Sequence, residues 1–205
     1  MGQGRSEAPN IREDEALAQL QRNDLDVRRR RAVISVLGQV GSERSINALR
    51  DNLYQNDLKT KVEAVLALAR IASDEAVDAL SEFLRKHTGP PFALAVNSLR
   101  IANAHRVMPT LIEILQERRS ELSDGDKRVI IHALAHVPHR SQVPALSAAL
   151  NERSLLTKRV AAMALSGIRA PESRTALQDA AQSLSWLGGL YARRELRRCQ
   201  NDDDE

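Results

Sequence analysis

The sequence predicts an all-α chain of stacked two-helix repeats, and three observations predict it. Leu37, Leu68, Leu99, Leu134 and Leu165 recur at steps of 31, 31, 35 and 31 residues. Leu49, Leu80, Leu111, Leu146 and Leu177 follow the same steps, as do Leu53, Leu84, Leu115, Leu150 and, in smaller form, Ala181. The apolar content is 42%, yet it includes only one Trp, two Tyr and two Phe, so Ala and Leu supply an interior of closely packed helices. A period in this range marks an α-solenoid, in which each unit buries its apolar face only against its neighbours.

The elements follow in order. Residues 1–12 are expected to form a disordered leader, 13–199 the repeat domain, and 200–205 (Gln-Asn-Asp-Asp-Asp-Glu) an acidic tail. Ala16 to Leu20 reads as a lone second helix. The first full repeat then places Val33, Leu37 and Val40 on one helical face. Gly41-Ser42 breaks the chain, Ser42 is suited to cap the next helix, and Ile46, Leu49 and Leu53 form its apolar face. Asn56-Asp57 ends the unit. The second repeat copies this with Val65, Leu68 and Ile71, then Ser73, then Val77, Leu80 and Leu84. Thr60, Asp126 and Thr157 fall at the starts of first helices, where an N-cap is wanted. Pro91 takes the matching place in the third repeat, as suits a first helical turn. The step of 35 lengthens the loop Arg118 to Asp126 by four residues, and such insertions sometimes carry binding contacts. Trp186 to Leu196 reads as a closing first helix, with Trp186, Leu187, Leu190 and Leu196 packing on the last repeat. The count is five full repeats with a half-repeat at each end.

Segments such as Asp26-Val-Arg-Arg-Arg-Arg-Ala-Val-Ile-Ser-Val-Leu-Gly-Gln-Val-Gly41 followed by Ser45-Ile-Asn-Ala-Leu49 resemble HEAT-like repeats of the phycobilisome-lyase type. The resemblance covers roughly residues 13–198. It implies a solenoid of right-handed superhelical twist and leaves the activity open, because such proteins include chromophore lyase subunits, alkyl-purine DNA glycosylases, an iron-dependent hydroxylase and many adaptors.

Composition narrows these classes. The net charge of +3, with a pI near 9.3, is too weak by itself to imply nucleic acid. No apolar stretch approaches the roughly 18–20 residues needed to cross a membrane. The first ten residues lack a signal-peptide core, and a single cysteine, Cys199, permits no internal disulfide, so a reducing cytoplasm is expected. The opening Met-Gly-Gln-Gly-Arg-Ser matches the loose myristoylation pattern, but no lipid anchor is expected from so short a signal.

In arrays of this kind the second helices line the concave face. Position 51 and its equivalents, Asp51, Glu82, Glu113, Ala148 and Asp179, are mostly acidic. At the starts of the first helices, Arg30, Lys61, Phe92, Lys127 and Lys158 form a mostly basic edge, beside Arg31, Val62, Ala93, Arg128 and Arg159. The acidic stripe reads either as a docking surface for a basic segment or as solvated repeat consensus. The basic edge reads more simply as consensus, paired between neighbouring helices. Carboxylates on the concave face would repel phosphates, and aromatics for base stacking are lacking, so nucleic acid is not the expected ligand.

His132, His136 and His139 are the best metal candidates, with His105 in the corresponding loop of the preceding repeat. No Glu or third ligand is fixed beside them, and chance spacing is the expected account. None of the five histidines is followed by Glu, which argues against the hydroxylase branch. Trp186 falls in the closing helix and Tyr54 and Tyr191 lie far apart in the array, so no aromatic cluster for a glycosylase cleft is expected. Cys199 reads as a spare exposed thiol beyond the last helix.

The expectation is therefore a cytoplasmic, non-enzymatic interaction scaffold or adaptor, with no metal or cofactor, that binds a basic partner segment on its concave face. Its contacts are expected to be Asn47, Asp51, Tyr54, Asp78, Glu82, Arg85, Glu113 and Gln116. Tyr54 and Arg85 share one repeat position and are residue types favoured as interface anchors. The alternatives are a bilin-lyase-type subunit, or a weak nucleic-acid or phosphate binder that uses the edge Arg30, Lys61, Lys127 and Lys158.

Overall fold

The structure, a computed structural model, describes residues 11–22, 25–183 and 186–203. Most of the expected leader lies outside these residues, although Ile11 and Arg12 already belong to the first helix, and 200–203 continue the last helix instead of starting a tail. Every regular element among the described residues is helical. Two compact units divide the chain, residues 1–83 and 84–205.

The first unit contains α1 (Ile11–Leu20), α2 (Val27–Val40), α3 (Glu43–Asn52), α4 (Leu58–Ile71) and most of α5 (Asp74–Lys86). The second contains the end of α5, α6 (Pro90–Glu117), α7 (Asp124–Ala135), a 3-10 turn (Arg140–Gln142) leading into α8 (Val143–Ala149), α9 (Leu155–Ile168), α10 (Pro171–Ser183) and α11 (Trp186–Asp203). The long α6 is itself a two-helix repeat, because Asn103 leaves helical geometry (φ −158°, ψ 69°) and its side chain accepts from Arg106 N–H. Among the described residues five helix pairs with a single helix at each end result, as the repeat count predicts.

Capping explains where the first helices start. Asp26, Asp57, Ser123 and Ser154 are the N-caps of α2, α4, α7 and α9, each accepting from backbone N–H groups of the first turn. Thr60, Asp126 and Thr157 therefore sit three residues inside their helices, not at the caps. At two of these starts the cap also meets the inner side chain: Thr60 Oγ1 donates to Asp57, and Ser123 Oγ donates to Asp126. Ser42 caps α3 as expected, and the Pro90-Pro91 pair opens α6. The first helices of the first, second and fifth repeats end on a left-handed residue at one repeat position: Gly41, Ala72 and Arg169. Glycine accepts that conformation freely, whereas the other two are strained there.

All the ladder leucines are buried, from Leu37 and Leu49 through Leu165 and Leu177. Each contributes about 1.5–3 kcal/mol of burial energy. Small residues bring the helices together. At Gly38 an added Cβ would stand 2.7 Å from Ala67 Cβ and 2.8 Å from Ala67 Cα, so α2 and α4 meet almost backbone to backbone.

The terminal helices are latched by polar contacts. Glu13 on α1 is buried and accepts from the hydroxyls of Ser42 and Ser45, while Asp14 pairs with Arg44 at 2.8 Å. At the other end, Glu195 on α11 is buried and accepts from Ser166 Oγ at 3.1 Å, and Arg193 donates to Ala181 C=O at 2.8 Å. The side chains of Trp186 and Leu187 lie outside the described residues. Leu190, expected to pack inward, is 44% exposed, and α11 instead buries Ala192. None of the helices is long and apolar enough to cross a membrane among the described residues.

Candidate functional site

Three repeat positions spaced four and three residues apart define the outer face of each second helix. They are Asn47 and Asp51 on α3 with Tyr54 in the turn just beyond its end, and Asp78, Glu82 and Arg85 on α5. On a helix this spacing aligns side chains on one face. Asn47, Asp51 and Asp78 are exposed, Glu82 is half-buried, and Tyr54 is 39% exposed. The Tyr54 ring stands edge-on to the buried Phe83, with centroids 6.3 Å apart and planes at 68°. An aromatic pair of that geometry holds the exposed ring in place. In the 1–83 unit α3 and α5 thus expose the carboxylates of Asp51 and Asp78, and Tyr54 presents an exposed ring anchored on Phe83.

In the 84–205 unit the ladder continues with Arg85 and Glu113. Arg85 Nε donates to Glu113 at 2.9 Å, Nη2 donates to Glu113 at 3.0 Å and to Thr110 at 3.2 Å. The guanidinium holds the Glu113 carboxyl below its ordinary value, through hydrogen bonding against a smaller cost of burial. Glu113 is a neutralised acid there, not a bare one, and Gln116 beside it is exposed. Sequence reasoning missed this pair, although its separation of 28 residues is close to one repeat.

The basic edge is not continuous. Arg30, Lys61 and Lys158 are half-buried, whereas Lys127 is only 8% exposed and pairs with Glu152 at 2.7 Å. Arg119 supports the same carboxylate at 3.4 Å. Phe92, fully buried at the matching position, is the signal that this ladder turns toward the interior.

The histidines do not converge on a metal site. His136 ends α7, and His139 Nδ1 accepts from Ser141 N–H to cap the 3-10 turn. Burial, then the nearby His136 and Arg128, lower the His132 pKa from 6.5 and favour the neutral ring. Among the described residues no group of three or more His, Cys, Asp or Glu is placed to hold a metal. Cys199 lies within α11, half-buried, with Sγ 3.9 Å from Ser166 C=O, so it is neither beyond the last helix nor fully exposed. It lines a cavity of about 340 Å³ with Arg169 and Arg174.

A larger groove, about 740 Å³, runs along the first helices α6, α7 and α9. Arg128 and Arg159 border it, and Leu156, Val160 and Met163 line its α9 side. The sequence pointed to Arg128 and Arg159 as one ladder but gave no sign of the apolar floor beside them.

The sequence pattern of HEAT repeats matches residues 13–100. No curated protein matches the chain. Among solved structures, human deoxyhypusine hydroxylase in complex with glycerol is 19% identical, with 90% of this chain and 84% of that one covered and a TM-score of 0.52. An engineered protein is 20% identical, with coverage of 94% and 100% and a TM-score of 0.50. The CpcE–CpcF complex of phycocyanin lyase from a Nostoc species is 18% identical, with coverage of 91% and 82% and a TM-score of 0.43. At such identities the first two likenesses show the helical-repeat fold alone.

Proposed function

We propose that this chain, which carries HEAT repeats, is a protein-interaction module that docks a basic segment of a partner on the second-helix face of its 1–83 unit. Stacked helical repeats support an interaction scaffold in general, since they present extended preformed surfaces. The observation that supports the finer reading is the exposure of Asn47, Asp51 and Asp78 on α3 and α5, together with the exposed Tyr54 ring held edge-on against Phe83. Tyrosine gives a partner an amphipathic anchor, while the exposed carboxylates steer and select Lys or Arg. In the 84–205 unit, Arg85 and Glu113 already satisfy each other, so that part of the ladder adds polar contacts such as Gln116 and little net charge. Docking needs no chemical step, only a rigid surface of the right sign.

An affinity capture from native lysate tests this, with wild type, Asp51→Lys/Asp78→Lys and Glu113→Gln as baits. The expected result is a partner with a Lys- or Arg-rich segment that is retained by Glu113→Gln and lost with the double reversal. A partner held equally by all three baits would sink the assignment to this face.

A further inference from the structure

The groove along α6, α7 and α9 lies on the first helices of the 84–205 unit. It opens where the sequence departs from its own period. Gly125 and Ser123, at the end of the four-residue insertion, line it on one side, with Gly89 and Pro90 of the atypical third-repeat start on another. Gly125 matters most. Its repeat equivalent on α9 is Leu156, and a Cβ at Gly125 would meet nothing nearer than Ser123 Oγ at 3.5 Å. One ridge is therefore low where the next is high, and a valley results.

Two in-register ridges form the walls. Gly125, Val129 and His132 on α7 are spaced four and three apart, and so are Leu156, Val160 and Met163 on α9. Leu156 is 51% exposed and Met163 44% exposed, a large apolar area to leave in water on one face. Parallel ridges with a valley between them match the apolar stripe of another helix. Methionine at such a surface adapts its shape to what it meets.

The charges fix the sign of the ligand. Arg128 and Arg159 stand at equivalent positions on the two walls. Arg128 Nε donates to the Asp124 carbonyl at 3.1 Å. The one carboxylate lining the groove, Asp126, is buried and taken up by Ser123 Oγ at 2.8 Å and Gly89 N–H at 3.4 Å. The rim is cationic over an apolar floor. We propose that this groove docks an amphipathic helix of a partner protein whose apolar stripe is flanked by Asp or Glu.

Two synthetic helical peptides test this on the full chain. Both carry Leu at i, i+3, i+4 and i+7, one flanked by Glu and the other by Lys. Affinity is read by fluorescence anisotropy, and the site by methyl NMR of Leu156, Val160 and Met163. The Glu peptide should bind at least about tenfold tighter than the Lys peptide and shift those methyls, and Arg128→Glu/Arg159→Glu should reverse the preference. Arg159 is exposed and Arg128 half-buried, and an unchanged circular dichroism melt will show that the variant folds. Equal affinity for both peptides, no binding by either, or shifts confined to other methyls would overturn the proposal. So would concentration-dependent self-association abolished by Leu156→Glu, which would make a second copy of this chain the occupant. Tighter binding of a free fatty acid than of the Glu peptide would equally refute it.

Discussion

The contact between α2 and α4 yields the sharpest prediction, because two effects of opposite sign compete at Gly38. Replacing a mid-helix glycine by alanine gains about 1 kcal/mol in helix propensity. At Gly38 the new Cβ would stand 2.7 Å from Ala67 Cβ and 2.8 Å from Ala67 Cα. The second atom is backbone, so relief requires α2 to move off α4 and loosen the buried Leu37 and Leu68. Overpacking of that kind costs about 1–3 kcal/mol, and a rigid neighbour puts the cost toward the upper end. Gly38→Ala should therefore destabilise by a net of about 1–2 kcal/mol. Gly167 on α9 is the matched control, since a Cβ there meets nothing within 4 Å. Gly167→Ala should stabilise by up to about 1 kcal/mol. Urea unfolding followed by circular dichroism reads both variants. If Gly38→Ala matched Gly167→Ala in sign, close packing of the repeats through that glycine would be refuted.

Three further outcomes follow from the same geometry. Ala72→Gly should raise the melting temperature, because it relieves a left-handed alanine (φ 52°) at a cost of about 1–2 kcal/mol, partly offset by the freer unfolded chain. Glu152→Ala should destabilise by about 3 kcal/mol by stranding the buried Lys127, whereas Lys127→Met/Glu152→Leu should be close to neutral in the same unfolding assay. Acid should weaken the fold in a defined window. Asp26 lies below its ordinary 3.8 through the Arg29 N–H, Asp57 below 3.8 through the Thr60 hydroxyl, and Glu113 below 4.5 through Arg85. The native state thus binds fewer protons than the unfolded chain, so this stability is complete above about pH 5 and is lost as pH falls through 4.5 and 3.8 toward the folded values. Melting temperatures of wild type and Asp57→Asn between pH 3 and pH 6, on the order of one-unit steps, check this; the variant should show a shallower loss.

The repeat made most of the fold legible. Leucines at fixed steps located every helix pair, and the half-repeats at Ala16 and near Tyr191 followed from what remained. Caps were harder to place, because Asp57 and Thr60 are both good capping residues and only the helix start decides between them. Ser123 and Ser154 hold the same cap position and carry the same signal three residues upstream of Asp126 and Thr157. Surface placement was legible where one position repeats its chemistry, as at Asn47, Asp51 and Asp78, which are exposed as expected. It failed where a residue nearly one repeat away consumes the charge, as Glu113 does for Arg85, whereas Lys127 belongs to an edge expected to be paired and meets Glu152. The apolar groove could not be read from composition, since Leu156 and Met163 look like core residues until Gly125 and the longer loop before it leave them uncovered.

The most direct measurement for the account's central claim is calorimetric titration of the captured partner's basic segment into wild type and Asp51→Lys/Asp78→Lys. Reversal should lower the affinity at least about tenfold, and wild-type binding should weaken as salt rises. Equal affinity for the two proteins, unchanged by salt, would contradict that claim.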